Sequence, residues 1–334
     1  METEATAEEP KSQSPGTWRY ISTKISGALV SLLFVILLGF FAFRILPGDP
    51  AISMTRGRAV APGEVERIRQ ELGLDQPLLV QFGRYIRDLF TGRLGTSYTY
   101  NQPVSELIAE RVGATLLLTG TAFLIAVTIG LWLGQRAAWK RGTGFDTLAT
   151  SGALVFWSVP TFWLGLLLLL LFGGPLPTSG MKTAGEDLTG FALAMDIGRH
   201  MVLPVTTIVL VTFAQYLLTM RSSMLEEMTA DYLVTARAKG LNEDRVRTRH
   251  ALPNAMLPTV TLVFMHLGTL IGGAVTTEAV FSWPGLGYLT YSALALPDLP
   301  LLQGSFVVFS SIVIVMNLIA DLLYRVLDPR LKAA

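Results

Sequence analysis

The chain has 334 residues, no cysteine, 15% charged residues and a formal net charge of +1. Its mean hydropathy of +0.49 is typical of a membrane protein, and the lack of cysteine excludes disulfides, thiolate nucleophiles and thiolate metal sites. The near-neutral charge gives no reason to expect a nucleic-acid partner.

The N-terminal region predicts a tail followed by a membrane anchor. Residues 1–18 are rich in Glu, Thr, Ser and Pro, so we expect a disordered cytoplasmic tail. A first transmembrane helix follows over residues 19–46. Its apolar core exceeds that of a cleavable signal, and no small-residue cleavage site comes after it, so we expect it to stay in the chain.

Six apolar runs are each long enough to cross the ~30 Å hydrocarbon core of a bilayer as a helix. They contain no Asp, Glu, Lys or Arg, and they lie at residues 25–43, 112–135, 147–172, 201–220, 255–277 and 299–320. The sequence therefore predicts an all-α membrane protein with six transmembrane helices. We assign the last five to a core over residues 112–328, followed by a cytoplasmic tail over 329–334.

The basic residues of the short loops predict the orientation, because cytoplasmic loops carry an excess of Lys and Arg. Three follow the second run within residues 136–141, and five lie within residues 237–249. The short loops on the other side hold only Lys182 and Arg199. We expect both termini to be cytoplasmic.

The long segment over residues 47–111 is predicted to lie outside the cytoplasm, because long loops translocate largely regardless of charge. Apolar residues recur at helical spacing over 65–72, 79–89 and 104–108, the last two after Pro77 and Pro103. We therefore expect short amphipathic helices on the outer face, where they would receive a partner protein or brace an outer gate.

The segment over residues 232–258 is basic, interrupted by glycine and placed between two apolar runs. Its first part favours a helix, Gly240 tolerates the left-handed geometry of a helix end, and Asn242 can begin a second helix. The pattern predicts a sharp turn that presents a short helix. Its charge alone fits an ordinary cytoplasmic loop equally well.

Two short sequence motifs in this segment resemble the coupling segment of ABC-importer membrane subunits, in the branch for dipeptides, oligopeptides and nickel. These are TARAKGL at residues 235–241 and RHALPNA at residues 249–255. Further motifs that match this branch are LPGDP, LGLDQP and GRLGTS in the outer loop, RSSMLE at 221–226 and TEAVFSWPGLG at 277–287. The resemblance covers nearly all of the chain after the tail.

One departure concerns the Glu-Ala-Ala of the general importer motif. It falls at Val234, Thr235 and Ala236, so the acidic residue is missing here. The peptide branch commonly shows this variation.

The resemblance implies a type I ABC-importer permease fold in the bacterial inner membrane. The implied partners are a second homologous permease, two cytoplasmic ABC ATPase subunits or domains, and an extracytoplasmic solute-binding protein. The implied substrate is a di- or oligopeptide, with nickel chelates and haem as alternatives. The chain has no GxxxxGK[ST] loop, so we expect no catalytic residue and no cofactor of its own, with ATP and Mg²⁺ bound by the ATPases.

The resemblance also implies a coupling helix over residues 229–241. Its predicted coupling residues are Tyr232, Leu233, Thr235, Ala236, Arg237, Ala238, Lys239, Gly240 and Leu241. We expect Tyr232, Leu233 and Ala236 to present an apolar face to a groove on the ATPase. ATPase closure would move this helix and convert an inward-open cavity to an outward-open one.

Polar residues at membrane depth are candidates for the translocation path. The candidates for path or gate are Gln215, His266, Glu278 and Asn317. Interhelical hydrogen bonds are an equally good interpretation of the three residues other than Glu278, which lies at the outer end of the fifth run and could pair with Arg44.

Two glycine pairs, Gly130 with Gly134 and Gly268 with Gly272, predict close helix packing. Asp321 and Arg325 predict an ion pair one turn apart.

Two other classes of protein fit the sequence less well. A proton-coupled secondary transporter should have carboxylates at the centres of its spans, and these runs have none. An intramembrane protease needs a Ser/His or HExxH arrangement, whereas His200, His250 and His266 lie in separate regions. No metal site is expected.

Overall fold

The computed structural model describes residues 17–45, 50–55, 61, 63–71, 73–267 and 274–327. Within these residues the chain is helical and contains no β-strand, which confirms the predicted all-α class. The helices are α1 (Thr17–Ile45), α2 (Pro50–Thr55), α3 (Glu64–Glu71), α4 (Leu78–Phe90), α5 (Val104–Trp139), α6 (Gly144–Ser158), α7 (Thr161–Phe172), α8 (Gly190–Glu227), α9 (Asp231–Ala238), α10 (Glu243–Arg245), the π-helix π1 (Val246–Ala251), α11 (Leu252–Leu267), α12 (Val275–Val280), α13 (Leu286–Ala295) and α14 (Leu299–Leu327).

Four helices of the described part are long and apolar enough to cross a membrane, namely α1, α5, α8 and α14. The predicted third span is instead a helix pair, α6 and α7, bent by 103°. Val159, which precedes Pro160, is extended at φ −85° and ψ 130°, because the proline ring disfavours helical geometry in the residue before it. The break therefore has a local cause that the sequence contains.

The predicted fifth span begins as α11, which ends at Leu267 after 16 residues. Residues 268–273, including Gly268 and Gly272, lie outside the described residues, and α12 follows. The count of six spans thus stays a prediction. Nearly all of the predicted tail over 1–18 and all of the tail over 329–334 also lie outside the described residues.

The centre of the fold is the packing of α5 against α8. A Cβ atom on Gly130 would lie 2.5 Å from the Cβ of Tyr216, and one on Gly134 would lie 2.6 Å from the carbonyl oxygen of Leu217. Such distances are below van der Waals contact, so only glycine permits this approach. The packing role predicted for Gly130 and Gly134 is confirmed, within a single chain.

The outer segment has two of its predicted helices as separate elements, α3 and α4. The third is not separate: residues 104–108 form the first turns of α5, because no helix-breaking residue interrupts the sequence after Pro103. Val104 and Leu107 pack there against Leu286 and Leu289 of α13.

The first and last long helices, α1 and α14, are joined by an ion pair. The Lys24 Nζ atom lies 2.9 Å from a carboxylate oxygen of Asp321, and the Tyr20 hydroxyl donates to the Asp321 carbonyl oxygen. Asp321 therefore has a partner on another helix, unlike the predicted pairing within α14. The Arg325 side chain lies outside the described residues.

Candidate functional site

The short helix α9 is a well-terminated element within the predicted coupling segment. Asp231 provides an acidic side chain in its first turn, which is favourable at a helix N-terminus. At its other end, the Gly240 amide donates to the Arg237 carbonyl oxygen at 2.9 Å, and the Leu241 amide donates to that of Ala236 at 3.4 Å. These two bonds form a Schellman motif, which requires the positive φ of +78° that Gly240 adopts. The predicted turn at Gly240 is confirmed.

Two predicted docking residues point into the chain itself. Leu233 and Ala236 are 0% and 5% exposed. They belong to a buried cluster, here called the coupling cluster, whose members are Ala138, Met220, Met224, Leu233, Ala236, Val246, Ala251 and Ala255. The expectation that Leu233 and Ala236 present the apolar docking face is therefore wrong. Their apolar surface is already covered by α8, π1 and α11.

The opposite side of α9 is exposed. Val234 has 62% of its surface exposed, which is high for a branched apolar residue. Beside it, Thr235, Ala238 and Lys239 are also exposed. The free face of α9 is thus a small apolar centre with a basic edge.

Tyr232 ties the start of α9 to its neighbours. Its hydroxyl donates to the Glu227 carboxylate at the end of α8 and accepts from the Asn254 side-chain amide of α11 at 2.9 Å. Burial and the neighbouring Glu227 carboxylate raise the pKa of Tyr232, so the phenol stays a donor at neutral pH. Tyr232 is consequently an internal tether, although part of its ring is exposed.

The end of α9 is also fixed to the following element. The Arg237 guanidinium makes two hydrogen bonds to the Glu243 carboxylate, at 2.9 and 3.4 Å. The Asn242 side chain caps α10 by accepting from the Arg245 amide at 2.9 Å, as predicted. The chain then continues through π1 into α11, so α9 is held at both ends.

An ion pair near the coupling cluster was not predicted from the sequence. Arg221 donates from Nε and Nη2 to the two carboxylate oxygens of Asp146, at 2.7 and 2.9 Å. Asp146 is buried and also accepts from the Gly142 amide. The pair joins the start of α6 to α8. The signal in the sequence was an acidic and a basic residue at the ends of two successive predicted spans, on the side that the basic loops predict to be cytoplasmic.

The candidate path residues do not converge on one site. The His266 Nδ1 atom lies 2.9 Å from the Tyr216 hydroxyl, so this pair is an interhelical contact between α11 and α8. Gln215 is half-buried on α8. Asn317 is exposed and lines a groove of about 290 Å³ with residues of α1, including Gly27 and Ser31. Their roles in a path stay predictions.

Glu278 is fully buried and serves as a junction between three helices. Its carboxylate accepts from the Thr115 hydroxyl of α5 at 2.7 Å and from the Tyr288 amide of α13 at 3.0 Å. Thr115 in turn accepts from the Leu286 amide at 2.8 Å. A carboxylate at a helix N-terminus satisfies amides that lack partners within the helix. The predicted pairing with Arg44 falls on a side chain outside the described residues.

The surroundings of Glu278 are shaped to admit its carboxylate. A Cβ atom on Gly285 would collide with both carboxylate oxygens. The Trp283 ring nitrogen donates to the Ala114 carbonyl oxygen at 2.9 Å, and Trp283 is fully buried. The run from Glu278 to Tyr288 is therefore one packed corner that holds α12 and α13 against α5.

Residues 126–333 match a family described as the binding-protein-dependent transport system inner membrane component, and residues 17–119 match the N-terminal part of such membrane components. A Brucella abortus protein named as a peptide transport system permease is 38% identical over 315 residues, covering 93% of this chain and 98% of that protein. The dipeptide transport system permease protein DppB of Escherichia coli K12 is 37% identical, covering 94% and 98%. Among solved structures, a chain of an amino acid ABC transporter matches with TM-score 0.46 at 16% identity, covering 68% of this chain and 94% of that chain.

The family matches together include nearly all of the described helices, and the relatives align over almost their full length. The chain therefore belongs to the family of binding-protein-dependent transport system inner membrane components.

Proposed function

We propose that this chain is a membrane-spanning permease subunit of an ATP-driven importer of di- or oligopeptides. The observation that carries the proposal is similarity over almost the whole chain to proteins named as peptide and dipeptide permeases. The partners would be a second homologous permease, two cytoplasmic ATPase subunits that bind ATP and Mg²⁺, and an extracytoplasmic solute-binding protein. Both termini and α9 would lie in the cytoplasm.

The geometry of α9 supports a role in coupling to the ATPases. Val234 and Ala238 lie on its exposed face, with Lys239 as a charged neighbour. An apolar centre with a charged rim is the usual composition of a protein interface. In this arrangement the buried residues Leu233 and Ala236 transmit force, and the exposed residues make the contact.

The proposed mechanism is alternating access. ATP binding would bring the two ATPases together, and each would displace the α9 helix seated on it. Because α9 packs against α8 through Met220 and Met224 and is tethered to α11 through Asn254, its displacement would carry both helices. The membrane cavity would then change the side to which it opens.

Copurification and transport together test this function. The full chain, expressed with its neighbouring permease, ATPases and binding protein, should purify as one complex. In liposomes it should accumulate a labelled dipeptide only when ATP, Mg²⁺ and the binding protein are present. A chain that purifies without an ATPase, or transports a peptide in response to a proton gradient alone, would contradict the proposal.

The outer segment over residues 47–111 is the proposed landing surface for the solute-binding protein. Loops of this length in compact proteins usually have a function, and α3 and α4 are too short and too charged to cross a bilayer. Photocrosslinkers at Glu66, Arg69 and Arg87 should capture the binding protein when ATP holds the transporter outward-facing. Crosslinks that form only from residues 281–300 would assign the landing surface to that loop instead.

A further inference from the structure

A cavity of about 180 Å³ lies between the outer segment and the start of α14. Its floor is formed by α14 residues, including the buried Gly304 and Val307, and its walls come from α4 and the loops on either side of it. The volume is below the ~300–1,000 Å³ of pockets for drug-sized ligands, so it suits a molecule of one or two amino acids in size.

The basic wall of the cavity has unused donors. Arg84 and Arg93 line it, and in the described part of the chain neither guanidinium forms an ion pair or a side-chain hydrogen bond. Arg67, Arg69 and Arg87 of the same segment differ, because each lies within 2.6–3.7 Å of a carboxylate oxygen. Arg84 and Arg93 therefore face the cavity with guanidinium groups that no carboxylate of the described residues neutralises.

The same cavity also has an acidic wall. Glu71 and Asp88 line it together with the arginines. Each also has an ion-pair partner outside the cavity, Arg67 at 3.7 Å and Arg87 at 3.5 Å respectively. Gln303 on α14 adds an amide whose buried nitrogen has no hydrogen-bond partner among the described residues. A buried amide group without a partner is costly, and a ligand that ordered this side chain would remove that cost.

We propose that this cavity binds a small zwitterion with free termini. The carboxylate would lie on Arg84 and Arg93, because guanidinium groups bind carboxylates with strong charge-assisted hydrogen bonds. The ammonium would lie toward Glu71 and Asp88. The site deepens the proposed function, on which it rests, since a dipeptide has these two charges and the cavity lies on the face that we propose is extracytoplasmic.

The mixed charge of the walls favours this ligand over an acidic side chain from a docked protein. Such a side chain would gain the arginines but would also approach Glu71 and Asp88, and like charges brought together are repelled. A zwitterion satisfies both walls at once.

The test is a titration of the complete complex in lipid nanodiscs, without binding protein or nucleotide. Saturation-transfer NMR would measure binding of alanyl-alanine, its N-acetyl derivative, its C-terminal amide and free alanine. We expect both capped forms to bind at least about tenfold more weakly than alanyl-alanine, since each loses one charged contact. A preference for alanyl-alanine over alanine assigns the site to peptides, the reverse assigns it to amino acids, and either upholds a zwitterion site.

Variants then locate the binding. Arg84→Gln and Arg93→Gln should each weaken binding of alanyl-alanine by about tenfold or more. Arg111→Gln is the matched control, because Arg111 belongs to the same outer segment, does not line the cavity and, among the described residues, forms no ion pair with Glu71 or Asp88. It should leave binding unchanged. Arg84 and Arg93 are exposed and Arg111 is partly exposed, so their replacement should preserve the thermal unfolding of the complex.

Three outcomes would overturn the site. These are equal binding by the capped peptides, equal binding by the Arg84 and Arg93 variants, and variants that weaken only the docking of the binding protein. ATP-driven uptake of dipeptide by the wild-type complex tests the proposed function independently of the cavity site. A complex that imports dipeptides but binds them independently of both arginines would remove only the cavity site, whereas arginine-dependent binding without peptide uptake would keep the site and remove the import function.

Discussion

Replacing Gly240 should impair coupling while leaving membrane insertion intact. Gly240 has a φ of +78° in the turn that ends α9. Apart from its two chain neighbours, no atom of the described residues lies within 4 Å of the position that a Cβ atom would take, so a Cβ atom there has no steric clash within the chain. Within the chain the penalty of adding a Cβ atom is therefore the backbone strain, and asparagine controls for the size of the new side chain.

The magnitude follows from the left-handed conformation. An L-residue with a Cβ atom is disfavoured there by about 1–2 kcal/mol, asparagine tolerates it, and β-branched residues fit it worst. We expect Gly240→Asn to resemble the wild type, Gly240→Ala to lose about 1 kcal/mol of turn stability, and Gly240→Val to lose about 2 kcal/mol. A loss of 1–2 kcal/mol lowers the equilibrium ratio of the turn conformation to its alternatives by about 5- to 30-fold.

The assay is substrate-stimulated ATPase activity of the reconstituted complex. Stimulation should fall in the order Asn, Ala, Val at residue 240, while the amount of chain in the membrane fraction stays constant. A graded series would link the effect to φ, since side-chain size alone would place asparagine beyond alanine. Wild-type stimulation in Gly240→Val would refute a role for the turn in coupling.

Further predictions concern α9 and two buried carboxylates. Ala238→Trp should weaken copurification of the ATPases without lowering the unfolding temperature, because Ala238 is exposed. Ala236→Trp should instead overpack the coupling cluster and destabilise the protein by about 1–3 kcal/mol. Normal copurification of Ala238→Trp would place the ATPase contact elsewhere. Asp146→Asn should destabilise the protein by up to about 3 kcal/mol in denaturant unfolding, because Arg221 then loses its charged partner, and an unchanged midpoint would contradict this. Glu278→Gln should lower the unfolding free energy by about 1–3 kcal/mol in the same measurement, because its NH₂ group would replace one of the two accepting oxygens. Wild-type stability would show that one accepting oxygen is enough.

Local features of the fold could be predicted from the sequence because their causes lie within a few residues. The end of α9 at Gly240 and the cap at Asn242 follow from the conformations and hydrogen bonds that these residue types favour. Gly130 and Gly134 required only a four-residue spacing in an apolar helix. The bend at Pro160 also had a local cause, but a continuous apolar run masked it.

Contacts between distant parts of the chain could not be predicted. The hydrogen bond from Thr115 to Glu278 joins residues 163 positions apart, and the pair of Arg221 with Asp146 joins residues 75 positions apart. The sequence shows that Leu233 is an apolar residue of a short helix. It does not show whether this side chain contacts a partner protein or another part of the same chain. The answer depends on which side of α9 the later elements π1 and α11 pack against, and the sequence of α9 alone does not determine this.

The burial of Leu233 has a consequence for how force could pass from α9 into the membrane. Pulling α9 away from the chain would expose Leu233, together with the surfaces of Met220 and Met224 that it covers. Exposing one large apolar side chain costs about 1.5–3 kcal/mol, and the bonds of Tyr232 and Arg237 would be lost as well. Moving α9 together with α8, α10, π1 and α11 breaks none of these contacts. Because α8 is in turn joined to α6 by the Arg221–Asp146 ion pair and packed closely against α5, displacement of α9 as a rigid unit with these helices costs less than pulling α9 away from them. Under the proposed function, a movement of the ATPase would therefore be transmitted to the membrane helices through α8. It would not be lost as a local deformation of the loop.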